Sequence, residues 1–303
     1  MTLAYATSLP GDSVNEDGLP FLPADWPHRD CSRFVASSGC LWHVQRMGQG
    51  PTMVMVHGTA ASTHTWRKIM PILAQRYDLI AMDLPGHGYS ERLPDKSMTL
   101  PSLSSALAGL LETLDVRPNH LVGHSAGAAI ALDLALRRGL KPATVCGVNA
   151  ALLPFGGVLK NVFSPMARFF ASTYLMPRML ARRARDRKAV VRVLEGTGSR
   201  LDADGLFLYQ RLLQRESHLS AVLDMMATWD LHPLIDALPG LQSELMLVVG
   251  SQDKAVSPTE AEKIQQLLPA LRLHELDGVG HLAHEEAPDA VAALLDDFAG
   301  GRS

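Results

Sequence analysis

Short apolar runs alternate with longer amphipathic segments over most of the chain. A run such as residues 53–56 is too short for a helix and has no polar alternation, which is typical of a strand buried on both faces. Residues 126–138 instead have the apolar spacing of a helix. The alternation predicts βαβ units, and therefore an α/β fold with a mostly parallel sheet flanked by helices.

Eight strands are predicted, two of them within residues 34–47 and separated by a turn at Gly39. The other predicted strands are residues 53–56, 79–82, 120–122, 144–148, 244–249 and 271–276. The predicted helices are residues 62–75, 101–114, 126–138, 259–268 and 288–298. Because ligands bind at the carboxyl ends of the strands in such sheets, we expect functional residues directly after the strands.

The alternation is interrupted between residues 151 and 236. This segment has 12 Lys and Arg against eight Asp and Glu, and it holds eight of the chain's 17 aromatic residues. We interpret it as a helical lid inserted between strands 6 and 7 of one core domain, residues 31–150 and 237–303. Residues 1–30 show no hydrophobic period and are predicted to form an extended arm.

Composition narrows the class of protein. The 303-residue chain has a net charge of −3, which argues against a general nucleic-acid binder. Three cysteines (Cys31, Cys40 and Cys146) form no CxxC pair, which favours reduced thiols over a disulfide framework. Without a signal peptide or a long apolar stretch, we expect a cytoplasmic protein with no transmembrane segment. Phosphate-loop and metal-ligand spacings are missing, so neither a cofactor nor a metal is expected.

A Gly-x-Ser-x-Gly pentapeptide, Gly123 to Gly127, lies between a predicted strand and a predicted helix. In that context it predicts a strained turn that presents the hydroxyl of Ser125 as a nucleophile. The alternative is a glycine-rich turn without chemistry. A serine nucleophile needs a base, and the base needs an orienting acid.

The base and the acid are expected after the last two strands. Asp253 follows the seventh predicted strand and His281 follows the eighth, in the order that this pentapeptide requires. Asp277 is the second candidate acid, although its closeness to His281 in sequence favours a turn residue. His124 is expected to be buried and structural, and His284 to pack or cap a helix.

Two backbone amides are needed to stabilise the oxyanion formed in acyl transfer. One is expected from Ala126, the residue after the nucleophile. The other is expected from Thr59, in the turn after residues 53–56, where Gly58 lets the chain turn toward the site. A tight structural turn is the alternative reading of residues 57–60.

Together these segments resemble the α/β-hydrolase superfamily from about Trp26 onward, and residues 83–90 resemble the loop after its fourth strand. Longer segments resemble one subgroup, the magnesium-chelatase accessory proteins of bacteriochlorophyll biosynthesis in phototrophic bacteria. These segments are residues 25–27, 42–45, 57–67, 123–129, 152–157, 225–231 and 280–286. The resemblance implies a role at or near the insertion of magnesium into protoporphyrin, and it supplies no reaction.

The predicted lid carries the candidate substrate-binding residues Phe155, Phe163, Met166, Phe170 and Trp229. They form either an apolar roof over a cleft or packing between the lid and the core. The basic run at residues 178–192 is either a solvated helix face or a surface for ligand carboxylates, an acidic partner or an anionic membrane. An apolar small molecule is the expected substrate, with a tetrapyrrole as one hypothesis.

These features predict a serine hydrolase that acts on an ester-like carbonyl. The subgroup resemblance implies transient contact with magnesium chelatase and a place peripheral to the photosynthetic membrane. The alternative is a non-catalytic protein that binds porphyrin or assists the chelatase. Dehalogenase and epoxide-hydrolase chemistry is disfavoured, because those relatives use an aspartate nucleophile where this chain has Ser125.

Overall fold

The computed structural model describes residues 22–154 and 175–300. Eight strands form one sheet in the order β1-β2-β4-β3-β5-β6-β7-β8. The strands are β1 (Ser32–Ser37), β2 (Cys40–Met47), β3 (Thr52–Val56), β4 (Asp78–Met82), β5 (His120–His124), β6 (Thr144–Val148), β7 (Glu244–Gly250) and β8 (Arg272–Leu276). Strand β2 pairs antiparallel with β1 and β4, and the other pairings are parallel. The prediction of a mostly parallel, eight-stranded sheet is confirmed.

Eleven described α-helices separate and follow the strands. In chain order they are α1 (Met70–Leu73), α2 (Leu100–Thr113), α3 (Ala126–Arg137), α4 (Leu175–Arg183), α5 (Arg187–Gly196), α6 (Ala203–Leu213), α7 (Glu216–Thr228), α8 (His232–Ala237), α9 (Pro258–Leu267), α10 (Ala283–Glu286) and α11 (Pro288–Gly300). Helices α4 to α8 lie between β6 and β7 in the chain, and all of their residues except Ala237 belong to the segment predicted as the insert.

The sheet has a hydrophobic layer on each face. Along β3, Val54 and Val56 belong to the layer that includes residues of α2 and α3. Met53 and Met55 belong to the opposite layer, with residues of α1 and α11. Successive side chains of a strand point to opposite faces, so a continuous apolar run fills both layers at once. This is why the short apolar runs in the sequence predict buried parallel strands.

The single helix predicted over residues 62–75 is wrong. A 3₁₀ helix, Thr63–Trp66, is followed by the separate turn α1. Ser62 occupies the N-cap position, but its Oγ atom lies 2.7 Å from Nδ1 of His64 and makes no capping hydrogen bond. The N–H of Thr63 donates to Oδ1 of Asp83 (2.6 Å). Hydrogen bonds to the rest of the fold therefore override the local helical spacing.

Candidate active site

Ser125 lies at the junction of β5 and α3, at the carboxyl edge of the sheet. Its backbone has φ 51° and ψ −120°, a conformation that is strained for a residue with a side chain. Its N–H donates to the carbonyl of Val148 at the end of β6 (3.0 Å), and its carbonyl accepts from the N–H of Ala128 (3.1 Å). The predicted strained turn between strand and helix is present at this residue.

Both glycines of the pentapeptide lie against backbone. A Cβ atom at Gly123 would collide with the backbone of Ala128, and one at Gly127 would collide with the carbonyl oxygen of Val56. Strand β3 and helix α3 can approach the turn this closely only because these side chains are missing. The spacing of the glycines is thus explained by packing, and Ser125 between them is half-buried.

His281 and Asp253 follow β8 and β7, and the fold brings their side chains together. Nδ1 of His281 lies 2.8 Å from Oδ2 of Asp253, with both residues mostly buried. With the proton on Nδ1 donated to the carboxylate, Nε2 is left as a base. Asp277 instead accepts a hydrogen bond from the Oγ atom of Ser251 (3.0 Å). The geometry therefore favours Asp253 as the orienting acid.

Asn149 is a site residue that no motif indicated. It follows β6, and its Nδ2 atom donates to Oδ2 of Asp253 (2.8 Å) and to the carbonyl of Gly280 (3.3 Å). The other carboxylate oxygen, Oδ1, accepts from the N–H groups of Ala255 and Val256 (2.8 and 2.9 Å). Four donors thus hold the Asp253 carboxylate in place. A position directly after a strand was the only signal in the sequence that could have singled out Asn149.

His124 precedes the serine and packs against the His281 loop. Its Nε2–H donates to the carbonyl of His281 (2.9 Å), and the two rings are 4.8 Å apart between centroids. His284 also packs against His124, with 4.4 Å between ring centroids. Burial lowers the pKa of both side chains, that of His284 to about 3, so both imidazoles are neutral at pH 7. Their packing role agrees with the sequence expectation.

The turn predicted to supply an oxyanion amide lies directly beside the serine. A Cβ atom at Gly58 would be 2.9 Å from Cβ of Ser125, so only glycine fits at this approach. Thr59 follows, and its amide donates no hydrogen bond within residues 22–154 and 175–300. Ala126 is the first residue of α3, where an N–H has no partner inside the helix. Within the described residues, the amides of Thr59 and Ala126 therefore both have hydrogen-bonding capacity that is not used.

Helix α7 of the insert covers this turn. The Oγ1 of Thr59 contacts the sulfur of Met225 (3.7 Å), and Nε2 of His218 lies 3.3 Å from the carbonyl of Ala60. Nδ1 of His218 accepts from the N–H of Gly88 (3.1 Å), in the loop after β4. One side chain of the insert thus connects two loops beside the candidate nucleophile.

A second part of the insert holds the loop of His281. The Oγ atom of Ser199 accepts from the N–H of Leu282 (2.8 Å). The two carboxylate oxygens of Glu286 accept from the N–H groups of Gly280 (3.1 Å) and Arg200 (3.0 Å). The position of the candidate base therefore depends on the insert as well as on the sheet.

The remaining predicted residues divide in two groups. Trp229 ends α7 and packs, partly buried, against the hydrophobic layer that contains α2 and α3. The other four candidate substrate-binding residues lie outside the described residues; they are Phe155, Phe163, Met166 and Phe170.

Two further groups of side chains in the described part of the chain are the possible metal ligands and the cysteines. No group of three or more His, Cys, Asp or Glu side chains there is arranged to hold a metal ion. The three cysteines are free, and burial raises the pKa of Cys40 to about 12 and that of Cys146 further. Within residues 22–154 and 175–300, no helix has the length and apolar character needed to cross a bilayer.

The chain belongs to the alpha/beta hydrolase family, whose model matches residues 53–294. It is 38% identical to the magnesium-chelatase 30 kDa subunit of Rhodobacter capsulatus, over 92% of this chain and 98% of that protein. The resemblance to the superfamily and to the subgroup is thus confirmed.

Two further matches are more distant. The chain is 31% identical to the uncharacterized hydrolase YugF of Bacillus subtilis, over 84% of this chain and 92% of that protein. An alpha/beta hydrolase fold protein from Burkholderia ambifaria matches in structure with a TM-score of 0.74, at 24% identity over 88% of this chain and 98% of that one. This structural match supports the fold alone.

Proposed function

We propose that this protein is a serine hydrolase that cleaves an ester-like bond. The observation that carries the proposal is the hydrogen bond between His281 and Asp253, in a fold that holds Ser125 in a strained turn at the same edge of the sheet. In this arrangement the acid orients the base and fixes its tautomer. Membership of the alpha/beta hydrolase family supports the same class of reaction.

The proposed reaction has two halves. The Oγ of Ser125 attacks the carbonyl carbon while its proton passes to Nε2 of His281, and the amides of Thr59 and Ala126 stabilise the oxyanion. The alcohol leaves with the proton from His281. Water then attacks the acyl-serine with His281 again as the base, releasing the acid and regenerating the serine. The ionised Asp253 stabilises the imidazolium in both halves.

The proposed biological setting is bacteriochlorophyll biosynthesis, at or near the magnesium-chelatase step. It rests on the 38% identity to the magnesium-chelatase 30 kDa subunit, which extends over nearly the whole of both chains. We extend it to transient contact with the chelatase and to an apolar substrate, with a tetrapyrrole as the specific hypothesis. The insert, residues 151–236, serves in this proposal as the lid over the substrate.

A fluorophosphonate probe tests the catalytic proposal. Wild-type protein should be labelled, Ser125→Ala should not, and Ser251→Ala should label like the wild type because Ser251 contacts Asp277 outside the triad. Labelling that persists in Ser125→Ala, or is missing from folded wild type, would contradict a serine mechanism.

The second candidate is a non-catalytic accessory protein on the same fold, favoured by the relation to a chelatase subunit. The two candidate functions predict different outcomes when Ser125→Ala is expressed in a strain from which the gene has been deleted. If Ser125→Ala restores pigment synthesis as well as the wild type, the accessory function is supported and the hydrolase is not. A change in the protoporphyrin absorption spectrum on adding protein tests the tetrapyrrole hypothesis, and an unchanged spectrum would reject it.

A further inference from the structure

Helices α4 and α5 of the insert expose large aliphatic side chains on their outer side. The exposed fractions are 65% for Leu175, 55% for Met179, 38% for Leu180 and 61% for Val193. The same helices bury other apolar residues on their inner side, among them Ala181 and Val190. The outer aliphatic residues are therefore not needed to hold these helices on the protein.

Seven cationic side chains surround these aliphatic residues. They are Arg178, Arg182, Arg183, Arg185, Arg187, Lys188 and Arg192, all exposed, and we call them together with the four aliphatic residues the basic face. Two of them have a carboxylate within 4.0 Å: Arg178 lies 3.8 Å from Glu216, and Arg183 lies 3.7 Å from Asp186. The other five have no such partner in the part of the chain that the structure describes.

The inner side of the same helices lies next to the candidate active site. Ala184, Val190 and Leu194 form a small cluster with Ala61 and Leu282. Ala61 follows the turn of Thr59 by two residues, and Leu282 directly follows His281. The basic face is therefore the outer surface of a layer that packs on both loops of the site.

We propose that the basic face binds the surface of an anionic lipid bilayer. Aliphatic side chains among exposed cations are the composition of helices that lie at a membrane interface, where the chains enter the headgroup boundary and the cations meet lipid phosphates. An apolar substrate dissolved in the bilayer would then be delivered beside the site.

Sedimentation with vesicles tests this proposal. Full-length protein carrying Ser125→Ala should sediment with vesicles of equal phosphatidylglycerol and phosphatidylcholine, and not with phosphatidylcholine alone. Arg182→Glu/Arg185→Glu/Lys188→Glu should weaken binding at least about a hundredfold, because each cation near an anionic surface adds to the affinity. Met179→Ser/Leu180→Ser should reduce the binding that persists at high salt.

The matched control, Arg117→Glu/Lys141→Glu/Lys263→Glu, reverses the charge of three exposed cations outside the basic face. It should bind the vesicles as well as the Ser125→Ala protein does. Equal binding to both kinds of vesicle, binding to neither, or an equal loss in the control and the basic-face variant would overturn the proposal. The assay uses no catalytic step, so its result is separate from the test of the serine hydrolase. Circular dichroism checks that each variant is folded.

Discussion

Ser125 and Asn149 both have a positive φ at the carboxyl edge of the sheet, 51° and 46°. The first belongs to a pentapeptide whose glycines predict the turn. The second follows a strand with no motif around it, and its contact with Asp253 joins residues 104 positions apart. A local pattern can therefore predict the nucleophile, whereas the residue that holds the acid is defined only by which strands lie side by side.

We predict that Asn149→Gly slows fluorophosphonate labelling of Ser125 about tenfold or more. The substitution removes the amide that donates to Asp253 and keeps the positive φ without strain. Hydrogen bonds to charged groups contribute about 1.5–3 kcal/mol, and 1.4 kcal/mol corresponds to a factor of ten. Labelling rates across pH 5 to 9 measure the effect.

His232→Gly, at an exposed position of α8, is the control for the glycine substitution itself. A wild-type labelling rate in Asn149→Gly would show that the contact with Asp253 is structural only. A proton NMR signal of the His281 Nδ1–H that is lost or shifted in Asn149→Gly would support the positioning role independently of labelling.

At the scale of elements, a buried ion pair and the hydrogen bonds around it join three segments that are far apart in sequence. Arg67 follows the 3₁₀ helix Thr63–Trp66 and pairs with Glu285 of α10, which is 1% exposed. The Oγ1 of Thr65 donates to Glu285 (2.8 Å) and lies 3.4 Å from the hydroxyl of Tyr209 in α6. Burial raises the pKa of Glu285, while Arg67 acts in the opposite direction. The network connects the insert to the helix directly after the His281 loop.

We predict that Glu285→Gln lowers the free energy of unfolding by about 3–5 kcal/mol. The change leaves the largely buried guanidinium of Arg67 without its buried counter-charge. Asp202→Asn is the matched control, because Asp202 is the exposed partner of Arg67 and an asparagine still caps α6. The Asp202→Asn substitution should lower the free energy of unfolding by less than about 1 kcal/mol.

Unfolding in guanidinium chloride measures the free energy of unfolding of both variants. Equal losses of unfolding free energy in the two variants would show that the pair with Glu285 contributes no more than the exposed pair with Asp202.

The sequence-based prediction of one helix over residues 62–75 failed in this same region. Apolar spacing describes a helix surface, but the tertiary partners of Thr63 and Thr65 determine the backbone here.

At the scale of the whole molecule, six buried imidazoles in the site region have a pKa below the ordinary value for histidine. Burial is the main cause that lowers the pKa of each, and for His218 and His284 the value falls to about 3. The full set in the site region is His57, His64, His87, His124, His218 and His284. The described residues provide no carboxylate in hydrogen-bond contact with His218 that would stabilise its protonated form.

We predict that the free energy of unfolding falls as the pH is lowered from about 6.5 toward 4.5. A histidine whose pKa is lowered by folding takes up its proton first in the unfolded state, so acid favours unfolding. The slope is at most about 1.4 kcal/mol per pH unit for each such histidine. Carboxylates with lowered pKa values, such as Asp83, act only below about pH 4, so the two effects occupy different windows.

Denaturant unfolding at pH 7.5, 6.5, 5.5 and 4.5 measures this slope. His218→Gln should reduce the slope by the contribution of one histidine, since glutamine does not titrate. The side chain of His232 is 76% exposed, so His232→Gln should leave the slope unchanged. Stability that stays flat down to pH 5 would contradict the prediction.

Local pattern alone decides the mostly parallel sheet and the serine turn, because apolar period and glycine spacing act over a few residues. It also places Asp253 and His281 at strand ends, where the topology of the sheet makes them neighbours. Only the tertiary structure decides that Asn149 holds Asp253 and that Ser199 of the insert holds the loop of His281. These contacts join residues 83 and 104 positions apart, and they exist only after strands and helices from distant parts of the chain have packed together.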